Sequence, residues 1–175
     1  MNDRGMNLSF FGGAFRAARL AVLALLCLGA VALPAPAVTA QTATLQTFTL
    51  STLEIVTATG RHAFRVELAQ TDQQRSQGLM FRPVLAPDAG MLFIYPGERQ
   101  ISMWMKNTLI PLDMLFLASD GRVVALHERA VPHSLRTIAS GVAARAVLEL
   151  PGGTVGRLGI RIGDRVISTE LGGAG

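Results

Sequence analysis

From Leu53 onward, the apolar residues of this chain come in short runs, each closed by glycine, proline or a polar turn. That punctuation leaves room for strands and almost none for helices. Phe64, Val66 and Leu68 alternate with Arg65 and Glu67, the pattern of a half-buried strand, and pair with 53–57 across a turn at Gly60. "TDQQRSQG" then changes period. Thr71 with Gln74 three residues later makes a capping box, and Gly78 suits the residue after a helix end, so Asp72–Gln77 is predicted as one short helix. "AGMLFIYP" and "ISMWM" read as two further strands, and "LDMLFLASDGRVVALH" as a hairpin around Asp120-Gly121. "RAVLEL" and "DRVIST" add two more, with one helical turn in "TVGRLGI". The fold class that follows is mainly β: a single-domain sandwich or distorted barrel with one or two short helices. No strand–helix–strand alternation supports a Rossmann layout, and no glycine-rich phosphate loop is present.

The first forty residues stand apart from that pattern. Arg4, Arg16 and Arg19 form a basic region, and Leu20 to Leu33 is an unbroken apolar run. "PAPAVTA" then places Val38 and Ala40 at the −3 and −1 positions of a cut before Gln41, which predicts an export signal over 1–40. The run is shorter than the ~20 residues that span a bilayer, so cleavage is expected, with membrane contact only through this segment if it stays uncut. Ala24-Leu25-Leu26 ahead of Cys27 argues against a lipid-anchored form. Cys27 is the sole cysteine. Once it leaves, an exported periplasmic or extracellular chain must hold itself together by its core alone. About 135 residues suffice for one domain that buries roughly two-thirds of its unfolded surface. Residues 41–175 hold 13 basic and 11 acidic side chains, a net charge of +2. No basic cluster with interleaved aromatics is present, which excludes nucleic acid as an expected partner. "QTATLQT" reads as the start of a tether over 41–50, 51–170 as one domain, 171–175 as a frayed tail, and the whole as a monomer.

The most polar constellation lies in "MWMKNTLIPLD", which carries the only tryptophan, Trp104, and the only lysine, Lys106. Every other basic side chain is arginine, and ammonium and guanidinium are not interchangeable. If "SMWM" is a strand, Met103 and Met105 share one face and Trp104 takes the other. In the structural reading the methionines fill the core, Trp104 covers an edge and Asn107 makes a turn. In the functional reading Trp104 is a flat platform, Lys106 and Asn107 donate beside it, and Asp113 closes the loop onto either. Arg82 joins as a bidentate clamp, or ties its loop to Asp88 or Glu98. Glu149, inside "VLEL", alternates away from Leu148 and Leu150, so it faces solvent or is buried in a pair with Arg82. Glu149 and His133 stand behind the site as supporting residues.

Other chemistries have thinner support. Asp113 and Glu149 would make a glycosidase carboxylate pair only at the right separation. Ser134, His133 and Asp113 lack a nucleophile elbow. Met80, Met91, Met103, Met105 and Met114, with His127 and His133, are soft ligands of the kind Cu(I) favours, yet each methionine lies in an apolar run, where it fills core gaps. No close-spaced Cys/His set suits zinc. Neither metal nor cofactor is expected.

"GLMFR" (78–82), "GMLF" (90–93), "WMKNT" (104–108), "PLD" (111–113), "AVPHS" (130–134), "LELPGG" (148–153) and "LGIRIGD" (158–164) occur in that order. Together they resemble a bacterial and archaeal family of small, mostly exported proteins of unassigned function, over about Leu53 to Thr169. The resemblance implies a single jelly-roll-like, mainly β domain, and it supplies no activity and no catalytic residues. Arg129 stands where relatives would have Asn, and cysteines that some members carry before the Pro132 region are missing. The leading expectation is a non-catalytic binding module for a polar envelope ligand, glycan or peptide, at Arg82, Trp104, Lys106, Asn107 and Asp113. A hydrolase using Asp113 and Glu149 and a periplasmic copper-binding protein are the rivals.

Overall fold

The computed structural model describes residues 45–172. The expected signal peptide, the start of the tether and residues 173–175 lie outside the described residues. The chain runs β1 (Thr49–Thr57), β2 (Gly60–Ala69), α1 (Asp72–Gln77), β3 (Ala89–Met103), β4 (Leu112–Leu117), β5 (Val123–Ala130), β6 (Ile138–Pro151), α2 (Thr154–Leu158) and β7 (Arg165–Ile167), ending in a 3-10 turn at Thr169–Leu171. All seven strands join one sheet in the order β5-β4-β6-β3-β2-β1-β7.

One continuous sheet rules out the sandwich and keeps the distorted barrel. The sheet curls until its two ends touch. Arg122 bridges to Arg165, the Val166 N–H donates to the Gly121 carbonyl at 2.8 Å, and the Val123 N–H donates to the Asp164 carbonyl at 2.8 Å. The first residues of β5 thus find partners at β7, which shortens the exposed edges. Gly121 is needed for that contact. Its φ is +79°, and a Cβ there would lie 2.1 Å from the Val166 carbonyl oxygen.

The curl creates two cores, one on each face. Leu53, Ile55, Phe64, Val66, Leu92, Leu115 and Leu148 fill the inner one. Met91, Phe93, Met105, Met114, Phe116 and Val147 fill the other, beneath the loops that follow α1 and β3. Central strand β6 is buried on both faces, which is why "AVLEL" shows little polar alternation. Strand β1 pairs with β2 as expected, Leu53 opposite Phe64. Helix α1 carries its capping box, with the Gln74 N–H donating to the Thr71 hydroxyl at 3.1 Å.

Several boundaries differ from the sequence reading. "AGMLFIYP" and "ISMWM" form one strand, β3, because Pro96 and Gly97 occupy a bulge where the register slips between Ile94 and Arg99. That strand ends at Met103, so Trp104 and Met105 belong to the turn beyond it. Strands β2 and β3 are parallel, joined through α1 and the 78–88 loop, a strand–helix–strand link that one short helix concealed. The tether is shorter than expected: Thr49 and Leu50 enter β1, and the Gln46 N–H donates to the Gln77 side chain at 2.7 Å. Leu171, assigned to the tail, is buried. Among the described residues no helix is long and apolar enough to cross a membrane.

Gly121→Ala combines a forbidden contact with an unfavourable φ. We expect it to lower stability by more than about 1 kcal/mol in urea unfolding followed by circular dichroism. An unchanged midpoint would show that the two ends of the sheet close without this contact.

Candidate ligand pocket

Three loops meet over the outer core. The Phe81 N–H donates to the Asn107 carbonyl at 2.9 Å, the His133 N–H to the Thr108 carbonyl at 3.1 Å, and the Met105 N–H to the Ser134 carbonyl at 3.0 Å. Phe81, Asn107 and His133 all have positive φ although none is glycine. Such conformations cost energy and persist where the surroundings impose them, often at functional sites. Trp104 projects from the middle loop with half its surface exposed (50%). The Lys106 ammonium lies 5.3 Å from the centre of the indole, a cation–π contact. The only lysine and the only tryptophan are therefore stacked on each other.

Beside them opens a cavity of about 80 Å³ whose lining includes Leu79, Phe93, Tyr95, Met103, Lys106 and Glu149. Glu149 comes from the middle of β6, in register with Met91 of β3 on one side and Met114 of β4 on the other. Its nearest neighbours across the sheet are thioethers rather than bases. The residue is only 4% exposed. Among the described residues its carboxyl group has no ion-pair or hydrogen-bonding partner. Burial pushes its pKa up to about 8, so at neutral pH it is a carboxylic acid with one O–H donor and free acceptor capacity. The Tyr95 hydroxyl donates to the Met103 sulfur at 3.7 Å. Burial raises the Tyr95 pKa, Arg75 lowers it, and Glu149 adds to the rise. The Arg75 guanidinium lies over the Tyr95 ring at 5.1 Å. It donates to the Gln70 and Ile94 carbonyls at 2.5 and 2.7 Å and to the Asp72 carboxylate at 2.5 Å, which fixes it in the wall.

Asp113 is not in this pocket. Strand alternation places Asp113 opposite Leu150 and Met114 opposite Glu149, so the two carboxyl groups project to opposite faces of the sheet. Asp113 Oδ1 accepts from the Arg129 N–H at 2.8 Å and the Gly153 N–H at 3.0 Å, and Oδ2 accepts from the Val155 N–H at 2.7 Å. A fully buried carboxylate satisfied by backbone amides has nothing left for Lys106 or Asn107, contrary to the sequence expectation. The glycosidase pair fails for the same reason, since its two carboxyl groups share no cleft. The Ser134–His133–Asp113 arrangement fails too, because no histidine reaches Asp113.

The remaining candidates separate cleanly. Arg82 is a bidentate clamp, but on Glu67 at 2.5 and 2.6 Å. Its other proposed partners are elsewhere: Asp88 pairs with Arg65 at 3.0 Å, Glu98 accepts from Ser119, and Glu149 is unpaired. Arg82 therefore ties the 78–82 loop to β2. Asn107 donates to the Met80 sulfur at 3.8 Å and shapes the turn, and His133 holds that turn through its backbone. Met91, Met105 and Met114 are sealed in the core, while Met80 and Met103 line the cavity. Trp104 and Lys106 stand out in the sequence by their rarity. The signal for Glu149 in the sequence is a lone acid inside an apolar run.

The family model described as "DUF192: Uncharacterized ACR" matches residues 54–168. The chain belongs to the DUF192 family. A UPF0127 protein of the archaeon Thermococcus sibiricus is 34% identical over 104 residues, which are 58% of this chain and 64% of that relative. The match thus spans less than two-thirds of the relative's length. A crystal structure from Sinorhizobium meliloti 1021, provisionally described as a transcription regulator, superposes with a TM-score of 0.70 at 48% identity, covering 73% of this chain and 99% of that one. A protein of unknown function from Novosphingobium aromaticivorans gives 0.66 at 39% identity, covering 67% and 84%. Membership in DUF192 brings no chemistry with it.

Two substitutions test the opposed carboxyl groups of this DUF192 domain. Asp113→Ala strands buried amides and should cost about 3 kcal/mol or more in denaturant unfolding; a cost under about 1 kcal/mol would contradict the structural assignment. Glu149 behaves oppositely. Between its ordinary pKa of 4.5 and its raised value of about 8, the folded state keeps a proton that the unfolded state has lost. Stability therefore falls as pH rises through that window and levels off above it. Glu149→Gln should remove the fall, so its melting temperature should exceed the parent's by a margin that widens from pH 5 to pH 8. The margin corresponds to on the order of a few kcal/mol. Parallel pH profiles for the two proteins would show that Glu149 is solvated after all.

Proposed function

We propose that this domain is an exported, non-catalytic binding module that seats a small polar group of an envelope glycan or peptide in the cavity beside Trp104. One observation carries the reading: a buried carboxyl group without a protein partner lines a cavity that also meets the exposed Trp104–Lys106 stack. The Glu149 carboxyl group faces this cavity with no protein hydrogen bond among the described residues, so a ligand that enters can bond to it without displacing a protein partner. The aromatic face offers apolar area to a sugar ring or peptide side chain. Lys106, whose ammonium makes no ion pair among the described residues, is available to the ligand's polar atoms. The export half of the reading rests on the amino-terminal sequence.

The rival readings have less behind them. A hydrolase loses its acid–base pair with Asp113. For copper, the sulfurs of Met80 and Met103 share the cavity with Glu149, but they already accept hydrogen bonds from Asn107 and Tyr95. The regulator description of one relative finds little echo here. The helices among the described residues are six and five residues long, too short to lie along a DNA groove, and Arg61, Arg65, Arg75, Arg82 and Arg122 are paired with acids.

Trp104 is the only tryptophan, so its emission reports directly on the pocket. Titration with cell-wall glycan fragments and short peptides should give saturable fluorescence changes with at least one class. Lys106→Ala should weaken that binding about tenfold or more while leaving the melting temperature nearly unchanged, as for an exposed side chain. If no fragment alters Trp104 emission, or if Lys106→Ala binds as well as the parent, the binding-module reading is wrong.

A further inference from the structure

The charges around the cavity restrict what can enter it. The charged side chains that line it are Arg75, Lys106 and Glu149. Arg75 is committed to Asp72 and two carbonyls, which leaves the Lys106 ammonium as the available charge at this site. The other groups packed around Glu149 are uncharged: Met91 from β3, Met114 from β4 and the Tyr95 phenol. Arg99 stacks over the Tyr95 ring at 5.7 Å and adds positive charge nearby. A ligand ammonium would have to pass these cations to reach the acid, whereas an anion is drawn inward by them. About 80 Å³ suits a group of a few heavy atoms.

We propose that the pocket takes a carboxylate, that of a small organic acid or the free carboxyl end of a short peptide, hydrogen-bonded by the Glu149 carboxyl group and countered by Lys106. The inference rests on the binding-module reading and names its ligand chemistry. In the complex, the Glu149 O–H donates to the incoming carboxylate, a short, charge-assisted O–H···O⁻ bond, among the strong hydrogen bonds of proteins. The rest of the ligand lies over Trp104, outside the cavity. Two carboxyl groups at one site require a shared proton, because two anions side by side repel. The pocket should therefore work only while Glu149 holds its proton and the ligand has lost its own. That window runs from about pH 5 to the Glu149 pKa of about 8. The proton on Glu149 thus selects anions.

The test uses the purified chain and five probes: 3-phenylpropionate, an N-acetylated dipeptide with a free carboxyl end, its carboxamide, phenethylamine and silver(I). Binding is read by Trp104 fluorescence and calorimetry between pH 6 and pH 9. Both carboxylates are expected to bind and the carboxamide is not. Affinity should fall about tenfold between pH 6.5 and pH 9, the loss of proton occupancy for a group near 8. Glu149→Gln should bind with no pH dependence, since its amide donates at every pH. Lys106→Ala should bind more weakly throughout and keep the slope. The ratio of the two carboxylate affinities distinguishes a free-acid site from a peptide-end site. Phenethylamine or silver(I) binding that depends on Glu149 and strengthens with pH would overturn the carboxylate assignment and leave the binding-module reading intact. Carboxylate binding indifferent to Glu149→Gln would overturn it equally. If no probe, and no glycan or peptide fragment, perturbs Trp104, both readings fall.

Discussion

Asp113 holds the middle of this molecule. Its two oxygens gather amides from the end of β5, from the turn after β6 and from the first residues of α2. Three chain segments are thereby fixed against β4 by one side chain that no water reaches. A shorter or neutral residue could not accept all three bonds. The local backbone is bent to fit: Arg129 and Gly153 both have positive φ so that their N–H groups point at the carboxylate.

The contrast between the two acids is one of backbone supply. Asp113 and Glu149 lie one register step apart on adjacent strands. Strand alternation sends the first toward a chain reversal rich in unpaired N–H groups and the second toward a sheet face whose amides are already spent in the ladder. Burial pushes the Glu149 pKa up. Only one acid meets donors that make its charged form comfortable. A protein that keeps an unpaired acid in its core accepts a stability penalty that a glutamine would avoid, and such penalties are characteristically found where function requires them.

The architecture was legible wherever local chemistry decides the outcome. The 64–68 alternation, the Thr71–Gln74 box and the Asp120-Gly121 turn each specify their own element. Where distant segments decide, the sequence was silent. Nothing near Pro96 says that the strand resumes after the bulge, and nothing near Arg82 says that Glu67 is its partner. Asp113 looked like a loop acid because its three donors lie sixteen to forty-two residues away. The Arg129 departure, by contrast, acquires a physical sense. The position is left-handed, a conformation that asparagine tolerates better than arginine, so the residue expected from relatives is the one the backbone favours. Around the cavity, rarity singled out Trp104 and Lys106, which the fold stacks on each other, while Glu149 needed the register of three strands to show what it faces.

The three loops that frame the pocket come from residues near 81, 107 and 133, and they are linked by backbone hydrogen bonds across those separations. None of these segments is near another until the sheet between them has formed, so each link closes a long stretch of chain at an entropic cost that only a completed scaffold can offset. The cavity accordingly depends on long-range closure rather than on any local segment. The loops that line the cavity therefore depend on the finished sheet for their positions.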